Sequence, residues 1–393
     1  MSDASLTWEQ VRRWRVRLQH LDTRLPASKT ALPEIAATLG GLHAQVMSSA
    51  ELSAWNRVDG FVPADLAQAL WQDRTLVKLW AQRGTLHLHA SGEYPLWQAA
   101  LGTYDNFLKG AWTKASGISP TEIERLITQI AEALDGKELT RDQLADRVVE
   151  ITGTASLGDK MRGSWGSLLK PASYRGALCS GPGDGQRVRF ANPEHWLSGR
   201  TTPWGGTPDE AWAAVVTRYL HAYGPAERDE IGRWAALTPA KVKKIIAGLG
   251  DTVATVEVDG ESRLALADDV AGMRKAKATK SVRLLPAFDP YVVGATRHAR
   301  HLMSPTAAAR DEVDKSGRPA RIYRDQGWLT AVLLVDGRFD GTWRFERKGK
   351  KLVVDVEPFE KLPASVTKAV TGEADGVAKC FDAILDLTIA PPR

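Results

Sequence analysis

Residues 207–266 read TPDEAWAAVVTRYLHAYGPAERDEIGRWAALTPAKVKKIIAGLGDTVATVEVDGESRLAL, and this stretch decides the fold. Residues 207–210 form a capping box and apolar residues follow at helical spacing, so we predict a long helix. A short helix around Trp234 and a third helix opened by Thr238-Pro239 come next. Asp259-Gly260 then joins two alternating runs, which is a strong signal for a β-hairpin. Three helices followed by a hairpin predict a winged helix, which is a helix-turn-helix with a β wing.

The same kind of helix start occurs twice more along the chain. Thr7-Trp8-Glu9-Gln10 and Ser119-Pro120-Thr121-Glu122 both fit a capping box, and each precedes an amphipathic apolar pattern. We therefore expect three winged-helix units in tandem. They are predicted over residues 1–115, 116–205 and 206–272.

The first two predicted units carry their own helix and hairpin signals. In the middle unit, a helix opened by Thr140 and a helix over residues 161–169 precede strand-like runs on either side of a glycine-rich turn at 180–185. In the first unit, we predict that the third helix ends near Gln82 and that residues 84–89 form a strand. These patterns extend the winged-helix plan to both units.

The last part of the chain, residues 273–393, has a different pattern. Turn signals such as Asp336-Gly337 and Gly349 separate strand-like runs. These runs lie at residues 282–285, 330–335, 341–346 and 351–356. We predict a β-barrel-like unit here, so the fold class is α+β, with three tandem winged helices and a C-terminal barrel-like unit.

The composition excludes several classes of protein. The 393 residues include 52 Lys and Arg against 47 Asp and Glu, so the formal net charge is only +5. No uncharged apolar stretch is long enough to span a membrane, and the N-terminus lacks the apolar segment of a signal peptide. Two distant cysteines, Cys179 and Cys380, argue against a disulfide framework and a structural zinc site. We therefore expect a cytoplasmic protein that needs no metal or other cofactor.

The positive charge is clustered rather than evenly spread. Basic groups occur at residues 274–283, 297–301 and 344–351. A single basic run is more often a solvated loop, but three runs on a winged-helix chain favour contacts with DNA phosphates. The residues that we predict to contact DNA are Arg83, Arg162, Lys170, Arg297 and Arg300.

Four stretches, in order along the chain, carry a resemblance to a known family. They are GLHAQ at 41–45, RGTLHL at 83–88, LLPAFDP at 284–290, and residues 321–337, which begin with RIY and end with VDG. Together they resemble the winged-helix DNA glycosylases of the AlkZ/YcaQ type, and the likeness runs over nearly the whole chain.

This resemblance implies a C-shaped scaffold and monofunctional hydrolysis of the N-glycosidic bond of bulky N7-alkylguanine adducts in double-stranded DNA. It places the protein in base excision repair. In some members of the family, the activity extends to interstrand cross-links and to self-resistance of a producer against its own DNA-alkylating natural product. Because a bulky adduct does not fit a closed base pocket, we expect an open cleft with a hairpin against the minor groove.

The catalytic motif of the family is Gln-Φ-Gln or Gln-Φ-Asp, where Φ is apolar, and this chain has His43-Ala44-Gln45 instead. The resemblance therefore implies that His43 and Gln45 are the catalytic residues. Gly40-Gly41 precede the motif, and a capping box with Ser48 as the cap and Glu51 as its partner follows, so we predict a non-helical turn before a helix. In such a turn both side chains can face one water. The carbonyl of Gln45 and a neutral imidazole of His43 can each accept a hydrogen bond from that water.

Two alternatives stay open at the level of sequence. One is a non-catalytic winged-helix regulator of transcription, although three wings without a dimerisation segment favour a monomer on one duplex. The other makes His43 a structural histidine and Gln45 a phosphate contact.

Other signals are set aside. The glycines at 181, 183 and 185 lie between strands, so we interpret them as a wing turn rather than a dinucleotide loop. His87 and His89, or His298 and His301, have no partner motif that would indicate a metal site. We interpret His298 as a neighbour of a phosphate or of the backbone.

Overall fold

The computed structural model describes residues 4–164, 166–184, 187–278, 280–313, 317–324 and 327–392. The chain is a mixed α and β protein that divides into two compact units. Unit 1 comprises residues 1–66 and 216–393, and unit 2 comprises residues 67–215. None of the described helices is long and apolar enough to cross a membrane. The four-segment division predicted from the sequence stays a prediction.

The N-terminal part of unit 1 is mostly helical. Its elements are β1 (Ala4–Leu6), α1 (Trp8–Leu18), α2 (Ala31–Thr38), β2 (Leu42–His43), α3 (Met47–Trp55) and α4 (Pro63–Trp71), within which unit 2 begins. The predicted capping box of α1 is confirmed, because the Thr7 side chain accepts the N–H of Gln10 and the Gln10 side chain accepts the N–H of Thr7.

Unit 2 alternates helices with two small sheets. Its elements are β3 (Leu76–Trp80), β4 (Leu86–Ala90), α5 (Tyr94–Leu101), α6 (Gly110–Ser116), α7 (Pro120–Ala133), β5 (Leu139–Thr140), α8 (Arg141–Thr152), α9 (Ala155–Gly163), α10 (Lys170–Tyr174), β6 (Cys179–Asp184), β7 (Arg187–Ala191) and α11 (Pro193–Trp196). The capping box that Ser119 and Glu122 form at α7 is confirmed. β6 and β7 pair antiparallel, and β7 also pairs with β5.

Three details predicted for unit 2 are wrong. The stretch assigned to a helix ending near Gln82 forms β3, which pairs antiparallel with β4, because its apolar spacing suits a doubly buried strand as well as a helix face. The helix predicted over 161–169 is replaced by α9 and α10, and Pro171 lies in the first turn of α10, where its missing N–H is tolerated. β6 extends into the predicted turn at 180–185, of which Gly185 lies outside the described residues.

Residues 207–266 fold in the predicted order. Their elements are α12 (Pro208–Tyr223), α13 (Arg228–Ala235), α14 (Pro239–Leu249), β8 (Val253–Val258) and β9 (Glu261–Leu266). Thr207 and Glu210 form the expected reciprocal cap. Asp259 and Gly260 both have positive φ, as a two-residue turn between antiparallel strands requires. The sequence did not predict that β1 adds to this hairpin, parallel to β8 from Ala4↔Val256 to Leu6↔Val258.

The C-terminal part of unit 1 is built on one sheet. Its elements are α15 (Ala267–Arg274), β10 (Val282–Leu285), α16 (Pro290–Gly294), α17 (Pro305–Arg310), β11 (Val332–Val335), β12 (Arg338–Lys348), β13 (Lys351–Pro358), α18 (Ala364–Cys380) and β14 (Ile384–Ile389). The strand order is β10-β11-β12-β13-β14, and the four predicted strand runs are confirmed.

In the described residues this sheet is open and does not close into the predicted barrel-like unit. β14 pairs parallel with β13, which requires a crossover, and α18 supplies it. The helix contacts β10 and β14, the two outer strands, and its buried residues include Val370, Ala374 and Val377. A helix that covers one face of the sheet removes the need for the strands to close on themselves.

The apolar core of unit 1 joins its two chain segments. Val11 and Val16 of α1 belong to one buried cluster with Val256 of β8, Tyr291 and Phe339. Contacts so far apart in sequence explain why residues 1–66 and 216–393 form one unit.

A fully buried ion pair connects the chain just after α3 to the loop between β10 and α16. Two guanidinium nitrogens of Arg57 lie 2.8 Å from the two carboxylate oxygens of Asp289, and neither side chain is exposed. The hydroxyl of Ser53 and the backbone N–H of Tyr291 also donate to this carboxylate, at 3.1 and 2.9 Å. Four donated hydrogen bonds compensate the desolvation of the carboxylate, which an isolated buried charge could not do.

We expect Asp289→Ala to lower the free energy of unfolding by about 3–5 kcal/mol, because it leaves the buried guanidinium of Arg57 without its partner. The matched control is Asp355→Ala, since Asp355 pairs with Arg344, whose side chain is 76% exposed, at 3.0 Å. This control should change stability by less than about 1 kcal/mol. Denaturant titration of both variants measures the difference, and equal small losses would contradict the role of the buried pair.

Candidate active site

The His-Ala-Gln segment lies between two helices in non-helical chain. Gly40 and Gly41 follow α2 with φ of 65° and 106°, which are conformations that favour glycine. His43 ends the short strand β2, Gln45 lies in a bend, and α3 begins at Met47. The predicted position of the motif, just before a helix N-terminus, is therefore confirmed.

The predicted cap of that helix is wrong. The N-cap position belongs to Val46, which has no side chain able to cap, and Ser48 already lies within the helix. The N–H of Ser49 donates to the carbonyl of Val46 at 3.1 Å, which fixes the earlier start. Glu51 does not complete a capping box, and burial raises the pKa of its carboxyl group.

The two motif side chains lie in different surroundings. His43 is 6% exposed, whereas Gln45 is exposed. Because Gln45 lies in a bend, the alternation of an extended strand does not determine the direction of its side chain. The arrangement of both side chains around one water stays a prediction.

The imidazole of His43 stacks on an aromatic ring that sequence reasoning did not select. The centroids of the His43 and Phe288 rings lie 4.6 Å apart, with 14° between the ring planes. Phe288 also contacts Trp328 edge to face, at 5.1 Å and 78°. Trp328 is 47% exposed, so the aromatic series runs from the nearly buried His43 to the protein surface. The only signal in the sequence was that Phe288 lies in the LLPAFDP stretch that carried the resemblance.

Phe288 is held in an unfavourable backbone conformation. Its φ of 62° is rare for a bulky residue, and such strain costs about 1–3 kcal/mol and clusters at functional sites. The next residue is Asp289, which is fixed by Arg57 and Ser53. The buried ion pair therefore fixes the residue that directly follows Phe288.

In unit 2, the predicted DNA-contact residue Arg83 lies in a tight turn between β3 and β4. Arg83 has φ of 57°, and Gly84 follows with φ of 70°. The Nδ1 of His87 lies 3.0 Å from the carbonyl of Thr85, so this nitrogen carries the proton. The Nε2 of His87 then accepts from the guanidinium of Arg83 at 3.3 Å, which orients the arginine side chain.

A second predicted DNA-contact residue, Lys170, reaches the same turn. A Cβ on Gly84 would lie 3.5 Å from the ammonium nitrogen of Lys170 and 3.0 Å from the hydroxyl of Tyr174. Burial lowers the pKa of Lys170. The structure therefore brings Arg83 and Lys170, both half-buried, to one turn.

The other three predicted DNA contacts are placed differently. Arg162 in α9 forms ion pairs with Asp146 and Asp159, so acids already neutralise it. Arg297 and Arg300 are exposed in unit 1, and Arg300 donates to the carbonyl of Ala308 at 2.7 Å.

The basic groups are partly neutralised within the fold. Arg283 pairs with Glu373 at 3.2 Å and is half-buried, so it does not belong to an open basic surface. At the tip of the β12–β13 hairpin, Lys348 pairs with Glu346 at 3.2 Å. The cations that remain exposed near α15 are Arg274, Lys275, Lys277 and Lys280.

His298 is buried, so the interpretation as a phosphate neighbour is wrong. Its Nε2 faces Arg15 and its Nδ1 faces the carboxylate of Glu230, both at 2.5 Å, while its ring stacks on Trp8 at 4.9 Å. Since arginine can only donate, Nδ1 carries the proton that Glu230 accepts. Burial and the charge of Arg15 lower the pKa of His298, which keeps the ring neutral.

Among the described residues, no group of three or more His, Cys, Asp or Glu side chains is arranged to hold a metal ion. Cys179 and Cys380 are buried free thiols.

Comparisons with known proteins agree on one family. A family model described as DNA glycosylase AlkZ-like matches residues 36–380. The chain is 33% identical over 379 residues to the interstrand DNA cross-link repair glycosylase of Streptomyces sahachiroi, covering 95% of this chain and 96% of that protein. The solved structure of Streptomyces sahachiroi DNA glycosylase AlkZ matches with a TM-score of 0.85 at 32% identity, covering 98% of this chain and 100% of that one. The chain therefore belongs to the AlkZ-like family and is a DNA glycosylase.

Proposed function

We propose that this glycosylase hydrolyses the N-glycosidic bond of bulky N7-alkylguanine adducts in double-stranded DNA, as a monofunctional enzyme of base excision repair. The observation that carries the proposal is the position of His43-Ala44-Gln45, in non-helical chain before α3, within a chain of this family. We propose further that it works as a cytoplasmic monomer, and that it serves self-resistance to a DNA-alkylating natural product. The regulator alternative is disfavoured by membership of a glycosylase family.

The chemistry suits neutral side chains. N7-alkylation gives the guanine a positive charge, so the base leaves without protonation by a strong acid. What remains is to place a water near C1′ and to tolerate positive charge that develops on the sugar. The carbonyl of Gln45 accepts from the water, and a neutral His43 accepts its proton. A protonated His43 would repel the developing sugar cation.

We propose that the scaffold consists of three tandem winged helices with a C-terminal sheet unit. The helices α12–α14 and the β8–β9 hairpin support it for one unit. We propose that Arg83, Lys170, Arg162, Arg297 and Arg300 contact the DNA backbone. The pairing of Arg162 with acids makes it the weakest of these candidates.

The relative from Streptomyces sahachiroi is named for interstrand DNA cross-link repair. We propose that the present enzyme also releases cross-linked guanines, since the reacting bond is the same. A cross-linked base cannot enter a closed pocket, so this substrate class requires an open cleft next to His43.

The first prediction concerns excision. Incubation with duplex DNA that carries one bulky N7-alkylguanine should release the free base and leave an abasic site. His43→Ala and Gln45→Ala should keep DNA binding and lose about 10²–10⁴-fold in single-turnover rate, which is the range of general acid–base effects. Ser48→Ala is the control, since Ser48 lies in the first turn of the same helix without capping it. Binding without release on several alkylated duplexes would instead support the regulator.

The second prediction concerns pH. The excision rate of the wild-type protein should fall on acidification through the pKa of His43, because the proton acceptor is lost and a repulsive charge is gained. His43→Gln should have a flat rate over the same range. A flat wild-type rate between about pH 5.5 and 8 would remove His43 from the role of base.

The third prediction concerns DNA binding. Arg83→Ala and Lys170→Ala should each weaken binding to any duplex sequence and reduce the slope of log affinity against log salt by about 1. Arg147→Ala serves as the control, because Arg147 lies in unit 2 with its side chain 41% exposed and pairs with Glu150 of the same helix. Fluorescence anisotropy over a salt series measures the slopes. Unchanged slopes for both variants would exclude these residues as phosphate contacts.

A further inference from the structure

We propose that Phe288 is a positioning residue for the glycosylase reaction, which fixes the plane of the His43 imidazole, and that the Asp289–Arg57 ion pair holds Phe288 in place. This inference rests on the proposed role of His43. It adds residues that act through His43 rather than on the DNA.

The ring stack determines what His43 can do. A histidine ring turns about a broad torsion, so its nitrogens are not directed by the side chain alone. Phe288 lies almost parallel to the imidazole, at 14° and 4.6 Å, which is the offset-stacked arrangement that aromatic pairs prefer. A flat neighbour at this distance restricts the imidazole to one plane. The ring nitrogens, and the direction in which they accept a proton, then lie in that plane.

Phe288 does not reach this position through local preference. Its φ of 62° is unfavourable for a bulky side chain, so the surrounding structure must impose it. The residue after Phe288 is Asp289, whose carboxylate accepts hydrogen bonds from two guanidinium nitrogens of Arg57 at 2.8 Å and from the Ser53 hydroxyl at 3.1 Å. All three side chains are fully or almost fully buried. This polar cluster fixes the backbone on the C-terminal side of Phe288.

The same helix anchors both partners of the stack. α3 begins directly after the bend that contains Gln45, carries Ser53 in its last part, and is followed by Arg57. His43 is therefore attached to the N-terminal end of α3 and Phe288 to its C-terminal end. Both partners of the stack are therefore connected to one helix, His43 through residues 44–46 and Phe288 through Asp289.

Phe288 is half-buried and packs against the edge of the apolar cluster that contains Val11 and Phe339, so apolar contact is part of its role. Leucine would supply apolar contact at this site without a flat face. Phe288 instead adopts a strained conformation and stacks on His43 of the motif. This combination indicates that the flat aromatic ring is what the site requires at residue 288.

The test is a double-mutant cycle on the single-turnover excision of a bulky N7-alkylguanine from duplex DNA. Phe288→Leu should lower the rate by between about tenfold and 100-fold, the cost of a small misplacement, with little change in DNA affinity. Phe288→Tyr keeps the ring and should keep the rate. In His43→Gln, which lacks an imidazole to orient, Phe288→Leu should have no further effect.

Phe359→Leu is the matched control for stability, because Phe359 is a buried phenylalanine of the same unit that belongs to the apolar cluster of Val11 and Phe339. It should lower the melting temperature without changing the excision rate. Phe288→Gly is a second variant, since glycine adopts this φ without strain and separates loss of the ring from loss of the fold.

Two results would overturn the proposal. One is an unchanged rate in Phe288→Leu and Phe288→Gly. The other is an equal fractional loss from Phe288→Leu in the wild-type and His43→Gln proteins, which would show that the ring acts independently of His43. Full activity of His43→Ala is a different outcome, since it contradicts the proposed function whatever Phe288 does.

Discussion

The buried contact between Arg57 and Asp289 is the constraint on which the site in unit 1 depends. Both side chains are fully buried, and a charge pair in that position costs more in desolvation than an apolar pair would. In return, the pair specifies one arrangement of the chain, because its bidentate geometry joins the end of α3 to the loop after β10 in a single register. Phe288 precedes Asp289 and His43 precedes α3, so the alignment of their rings follows from this one contact.

Local signals in the sequence predicted the helices and hairpins well. The capping residues Thr7, Ser119 and Thr207 start helices as expected, and Asp259-Gly260 forms the expected turn. These features succeed because each is a contact within three or four residues of chain. The same local logic located the His-Ala-Gln motif before α3, although the helix starts after Val46 rather than at the predicted cap Ser48.

Features that depend on distant parts of the chain were not predictable in this way. Strand β3 was mistaken for a helix because a strand buried on both faces has no alternation. The pairing of β1 with β8 and the crossover of α18, which leaves the C-terminal sheet open, join segments far apart in sequence. The role of Phe288 could not be predicted for the same reason, since nothing in the sequence near residue 288 indicates a contact with His43. The sequence also overestimates the exposed positive charge of the basic runs. Arg283, for example, is neutralised by Glu373, which lies far away in the sequence.

The replacement of the first glutamine of the motif by histidine has a physical consequence for the reaction. A glutamine can only hold a water, whereas an imidazole can also take its proton, but only while it is neutral. His43 is 6% exposed and stacked on Phe288, so the ring that takes the proton is also the ring whose plane Phe288 fixes. A glutamine in its place is neutral at every pH, so its action on a water does not depend on the protonation state of an imidazole.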